Sequence, residues 1–141
     1  MLTFVDSESR RPSAAGQVLT TTVVDQDREW RGLAREWNEL LANSASDNPF
    51  LTWEWLDAWR THVGRLDRLH VVTVRDGERL VAIAPLCSAA TGFGPLSRTT
   101  FLGTGPAGSD YLDLIVRRGY EPDAVAEIGR ASCRERVYLC V

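Results

Sequence analysis

LHVVTVRDGERLVAIAPL, running from Leu69 to Leu86, decides the fold of this chain. Two apolar runs rich in β-branched residues, Leu69–Arg75 and Arg79–Leu86, stand on either side of Asp76 and Gly77. An Asp-Gly pair between such runs is a strong short-range hairpin signal, because glycine supplies the positive φ of a tight turn whose twist matches its strands. Pro85 has no amide hydrogen to give to a ladder, so it marks a bulge or the end of the second strand.

Upstream of the hairpin, Gln17–Val24 is β-branched enough for a strand, and Asp25 stands where a helix N-cap belongs. Trp30, Leu33, Ala34, Trp37, Leu40 and Leu41 then recur on one helical face, with Arg31, Arg35, Glu36 and Glu39 on the other. The small polar stretch Asn43–Asn48 ends that helix and Pro49 allows a restart. Thr52 caps a second helix with Glu54 in its first turn, Trp55, Leu56, Trp59 and Val63 along its inner face, and Gly64 as its stop. Downstream, a third strand is expected from about Arg98 to Leu102, a fourth over Tyr111–Val116, and a helix opening near Glu121 with Pro122 in its first turn. The order strand, helix, helix, hairpin, strand, strand, helix predicts an α+β (mixed α/β) fold, a largely antiparallel sheet carrying helices on its faces.

At 141 residues the chain has the length of one domain, and its formal charge of -3 with interspersed signs argues against a nucleic-acid partner. Cys87, Cys133 and Cys140 build neither a disulfide framework nor a zinc cluster. His62 and His70 have no carboxylate or thiol at ligand spacing and read as surface or packing residues, so no metal site is expected. Residues 1–16, MLTFVDSESRRPSAAG, are polar and turn-prone and read as a disordered leader without the apolar stretch of a secretory signal. No run approaches the length of a membrane span, which makes a cytoplasmic protein the expectation.

Gly103, Gly105 and Gly108 spell G-x-G-x-x-G, but Pro106 stiffens the loop and a strand follows it. A dinucleotide site needs a helix there, so that its N-terminus meets the pyrophosphate. Trp30, Trp37, Trp55 and Trp59 sit at core spacing, whereas Trp53 falls beside the start of its helix, off the stripe. Trp53 either lines a cleft or is an exposed helix-start aromatic. Asp110 and Asp113 lie on opposite faces of the fourth strand and make no acid–base dyad. Asp110 with Tyr111 at a strand mouth could hold a polar substrate; the plainer reading is a turn-ending aspartate and a cross-strand tyrosine. The candidate substrate-binding residues are therefore Trp53, Asp110 and Tyr111, with no catalytic, cofactor or metal residue among the candidates.

Four segments in order, EWRGLAREWNELLANSASDNPFLTWEWLDAWRTH, LHVVTVRDGERLVAIAPL, RTTFLGTG and SDYLDLIV, resemble the N-terminal half of large GNAT-like acyltransferases found in bacterial cellulose and envelope-polysaccharide loci. The resemblance spans about Val18 to Ala126. It implies an acyl-coenzyme-A-dependent N-acyltransferase built of two GNAT-related halves, with this half shaping the side that meets a small-molecule acyl acceptor. Acetyl-coenzyme A or another acyl-coenzyme A would be held by the C-terminal half, through an R/Q-x-x-G-x-G/A loop. The corresponding place here is VRRGYEP, Val116–Pro122, where Gly119 is the only glycine and the spacing departs from the pattern. The resemblance thus implies a half that holds no coenzyme and is inactive alone. A non-enzymatic sugar- or protein-binding module is the alternative.

EIGRASCRERV, Glu127–Val137, resembles the conceptual translation of a sequencing-library adapter. The expectation is that residues 127–141 are readthrough that does not pack, that residues 17–126 form the native unit, and that the last helix is cut after about two turns. An unpaired strand edge with an apolar patch along Tyr111, Leu112, Leu114 and Val116 is expected to follow.

Overall fold

The computed structural model describes residues 9–12, 18–64, 67–90, 97–104 and 112–134. Its strands are β1 (Ser9–Pro12), β2 (Val18–Val24), β3 (Arg68–Leu69), β4 (Val71–Asp76), β5 (Arg79–Ala84), β6 (Leu86–Ala90), β7 (Ser97–Phe101) and β8 (Ile115–Val116). Its helices are α1 (Asp27–Gly32), α2 (Ala34–Ala42), α3 (Trp53–His62) and α4 (Glu121–Arg134), with one 3-10 turn at Pro49–Leu51. The fold is α+β. A five-stranded antiparallel sheet in the order β1-β2-β4-β5-β8 is joined by a three-stranded antiparallel sheet in the order β3-β6-β7.

The hairpin forms as expected. β4 and β5 pair up to Asp76 and Arg79, and Gly77 opens the turn at φ 61°, a conformation in which a Cβ would be strained. Pro85 ends β5, and the chain then leaves the large sheet for the small one at Leu86. The pairing also slips between Val74 and Arg75, leaving Val81 as the extra residue of a bulge. That slip puts Leu80 in the same core cluster as Ile83, while Val81 joins Ala82 and Ala84 in the other.

The two clusters lie on opposite faces of the large sheet. Trp30, Trp37, Leu40, Leu51 and Leu56 pack from α1, α2, the 3-10 turn and α3 against Val71, Ile83 and Ile115. Ala124 and Ile128 of α4 pack with Leu19, Val72, Val74 and Val116 in the other cluster. The stripe foreseen for the first helix is buried at Trp30, Leu33, Trp37, Leu40 and Leu41, although the helix is broken at Leu33 into α1 and α2.

Several expectations are corrected. Ser9–Pro12, inside the supposed leader, pair antiparallel with Val18–Thr21 as the outer strand of the large sheet. Asp25 does not cap α1, which starts after Gln26 without a side-chain cap. Trp55 is 37% exposed and Val63 48%, because α3 turns Leu56 and Trp59 inward instead. The fourth strand is confined to Ile115–Val116 in the described residues; Asp110 and Tyr111 lie outside them. Its outer edge is covered, since Ser44 bridges to Arg117, the Arg118 amide donates to the Asn43 carbonyl at 3.1 Å, and the Ser46 hydroxyl donates to the Leu114 carbonyl at 3.0 Å.

Finally, α4 does not stop at Ala126. It continues to Arg134, burying Glu127, Ile128 and Ser132, and the Thr21 hydroxyl on β2 donates to the Glu127 carboxylate at 3.2 Å. Ala124, Ile128 and Ala131 explain this physically, because they recur at i, i+4 and i+7 and give the helix one continuous apolar stripe over the sheet.

Candidate functional site: a polar cleft where the two sheets part

Two of the chain's passages between the sheets take a single residue, His70 from β3 into β4 and Pro85 from β5 into β6. The crossings are tied together by the His70 amide, which donates to the Leu86 carbonyl at 3.0 Å, and by the Leu102 amide, which donates to the Pro85 carbonyl at 2.8 Å. Beside this parting lies a solvent-open cleft of about 500 Å³, lined by Asp25, Gln26, Arg60, Asp67, Arg68, Leu69, His70 and Ser88. A smaller recess of about 220 Å³ adjoins it at Arg60, Thr61, Gly64 and Asp67.

Local structure sets each wall. Asp25 and Gln26 form the turn from β2 into α1, where the Gln26 amide donates to the Asp25 carboxylate at 3.2 Å. Arg60 comes from the last turn of α3 and is ion-paired with Asp27 at the start of α1. The same two helices are pinned by the Trp30 indole N–H, which donates to the Asp57 carboxylate at 2.8 Å. Gly64 lets the chain fold back over Trp59, since a Cβ there would lie 2.4 Å from the indole ring. Its carbonyl then accepts the Asp67 amide at 3.1 Å, bringing Asp67 and the short β3 into the cleft. Arg68 stands opposite Ser88 and Leu69 opposite Cys87 in the β3–β6 ladder.

The lining alternates in charge. Arg60 is engaged by Asp27, which leaves Asp25, Asp67 and Arg68 as the other formally charged groups of the wall. Cys87 lies behind it, buried, with its thiol 3.9 Å from the Asp67 carboxylate and 3.6 Å from the Thr100 hydroxyl. Burial pushes that thiol up to about 11; Thr100 opposes the shift and Asp67 adds to it. A thiol held protonated at neutral pH is a poor nucleophile, so the cleft has the means to bind a polar molecule and no activated sulfur.

Trp53 is not part of this wall. Its indole N–H donates to the Trp30 carbonyl at 3.0 Å and its ring packs on Trp30 at 5.5 Å and 31°. It sits at the far end of α3 from Arg60, roughly 10 Å along the axis. Asp113, the neighbour of the other two candidates, is exposed and accepts the amide of Leu114 at 2.7 Å. The residues that do converge come from four separate stretches, and no linear spacing marks them as a set.

The turn from β8 into α4 is closed by its own side chains. Arg117 is 5% exposed, donates to both Glu39 carboxylate oxygens at 3.1 and 2.7 Å, and reaches the Leu80 carbonyl at the bulge from Nε and Nη2 at 3.3 and 3.1 Å. Gly119 has φ 95°, and its amide donates to the Glu121 carboxylate at 2.8 Å. A pyrophosphate would need that amide, and it would meet the Glu121 charge there. These residues do not fit an acyl-coenzyme A. Among the described residues no cluster of three or more histidine, cysteine, aspartate or glutamate side chains could hold a metal ion, and no helix is long and apolar enough to cross a membrane.

Fold and cleft together define an α+β domain, a largely antiparallel sheet between two helical layers with a polar recess where a second sheet branches off. No protein-family model, curated protein or solved structure matches the chain.

Proposed function

We propose that this domain is the acceptor-side half of an acyl-coenzyme-A-dependent N-acyltransferase of the GNAT-like kind, with the polar cleft as the place where the acyl acceptor enters. The observation that carries the reading is the strand order. β2, β4, β5 and β8 lie side by side in chain order, α1 to α3 intervene after β2, and α4 follows β8, which is the succession that opens a GNAT domain. The β6–β7 hairpin is then an excursion between β5 and β8, and it supplies Ser88 to the cleft.

The closed turn at Gly119 supports a division of labour in which the coenzyme is held elsewhere. The same observation favours a second reading, a non-enzymatic module that binds a sugar or a protein through the cleft. Sequencing the locus from an independent library past the codon for Ala126 separates the two. A strand leading into an R/Q-x-x-G-x-G/A loop downstream is the expected result. An intact reading frame without such a loop would sink the acyltransferase reading and leave the module.

A further inference from the structure

Arg68, Ser88 and Thr99 stand directly opposite one another across β3, β6 and β7, so they make one cross-strand row on one face of the small sheet. Burial deepens along it, from exposed Arg68 through half-buried Ser88 to Thr99, which is 0% exposed. The Thr99 hydroxyl is buried without a hydrogen-bond partner, and among the described residues neither the Arg68 guanidinium nor the Ser88 hydroxyl has one. A buried hydroxyl left unsatisfied carries a desolvation penalty that an acceptor would remove. The next row, Leu69 with Cys87, faces the helical core, and the Asp67 carboxylate lies on that side, 3.9 Å from the Cys87 thiol. Asp67 is thus on the other face of the sheet, and the charge of Arg68 is left unpaired.

We infer that this row binds a tetrahedral oxyanion, the phosphate or sulfate group of a small molecule, seated over Ser88 with the Arg68 guanidinium and the Thr99 hydroxyl on either side. Each neighbour is one cross-strand step away, roughly 5 Å, a span that an oxyanion closes with two hydrogen bonds. The guanidinium fork takes two oxygens and supplies the charge, while the two hydroxyls donate to a third. A planar carboxylate would spend both its oxygens on the fork. Asp25, the remaining carboxylate of the cleft, is exposed, so its repulsion lowers the affinity without filling the row. The inference goes beyond the acceptor-side reading and does not depend on it, because the row binds an anion whether or not acyl transfer takes place.

The test is a titration of the full chain, isotope-labelled for amide NMR, with inorganic phosphate, sulfate and acetate at pH 7 and constant ionic strength. Phosphate and sulfate are expected to shift the amides of Arg68, Ser88 and Thr99 saturably, with an affinity about fivefold or more above that of acetate. Sulfate equal to phosphate would mark a site for either ester, and phosphate alone binding would mark one for phosphate esters. Arg68→Gln, at an exposed position, is expected to weaken phosphate by about tenfold. Thr99→Val keeps the shape of the side chain and removes only the unpaired hydroxyl, so it is expected to melt no lower than the parent while losing about fivefold or more in phosphate affinity. Ser88→Ala is expected to weaken phosphate likewise, and Asp25→Asn to strengthen it. Acetate binding as well as phosphate, shifts confined to other surfaces, or Thr99→Val and Ser88→Ala both binding like the parent would overturn the inference. Failure of the complete locus product to transfer an acyl group would defeat the acceptor-side reading alone and leave this one standing.

Discussion

Arg117 joins three elements through one guanidinium, for it bonds Glu39 on α2 and the Leu80 carbonyl of β5 from a position just beyond β8. The hydrogen bond from Arg117 is the chief cause that holds the Glu39 carboxyl below its ordinary range; partial desolvation opposes it, and the charges of Arg117 and Arg79 add to it. A depressed carboxylate contributes stability that is complete above the unfolded-state value and is lost as pH falls through the folded one. Glu39→Gln is therefore expected to lower stability at pH 7, by less than about 1 kcal/mol because the carboxylate is largely exposed. The deficit relative to the parent should shrink below about pH 4, where the unfolded-state glutamate takes its proton. Urea unfolding of both proteins at pH 7 and at pH 3 measures it, and an unchanged gap would remove the pair from the account. Gly64 makes a steric case. Gly64→Ala places a methyl against the buried Trp59 ring, and forcing that fit is expected to cost about 1–3 kcal/mol, read as a drop in the urea midpoint. The sequence marked Gly64 as a helix stop, which it is, but the reason for glycine is a ring from the preceding turn. Arg117 was legible only as a basic residue in a loop, since its role depends on a bulge at Val81 that has no local signature.

Helix α3 begins where Thr52 was expected to cap it, the Thr52 hydroxyl accepting the Trp55 amide at 3.3 Å. Thr52→Ala removes that acceptor and is expected to cost about 1 kcal/mol, measurable by thermal unfolding, whereas Thr52→Ser should hold within a few tenths. Periodicity located this helix but misjudged its face. Trp53 and Trp55 flank Leu56 on either side, and nothing within the helix says on which side its neighbour lies. Trp30 decides it, because its carbonyl takes the Trp53 indole N–H and its ring takes the stack, leaving Trp55 to an edge contact with Phe50 at 5.2 Å. The cleft was illegible for a related reason. Asp25, Arg60, Asp67 and Ser88 meet only because Pro85 diverts the chain into a second sheet, and a proline predicts the break but not the direction taken afterwards.

At the scale of the whole molecule, the succession of elements was readable because sequential strands tend to be neighbours and the Asp-Gly turn fixed one pair outright. The far end of the chain is where sequence and structure part. Judged by its adapter-like string, the segment from Glu127 onward had no reason to pack, yet α4 runs across β2, β4, β5 and β8 and carries Ile128 into the core at 4% exposure. Ending the chain at Ala126 tests this directly. It removes Ile128, whose burial is worth about 2 kcal/mol, and leaves under two turns of helix, too short to persist without a packed face. Val72, Val74 and Ala82 beneath it would then meet solvent. The shortened chain is expected to unfold at a lower urea midpoint by the equivalent of about 2–4 kcal/mol, and to elute from size exclusion as associated species where the full chain is monodisperse. Ile128→Asp in the full chain provides the control for length, because it keeps every residue of α4 while burying a charge, and it should destabilise at least as much. Equal midpoints for all three proteins would show that the residues after Ala126 contribute nothing to the fold, as the adapter-like string suggests. A loss in both variants would show instead that a helix occupying this face completes the sheet, whatever sequence supplies it.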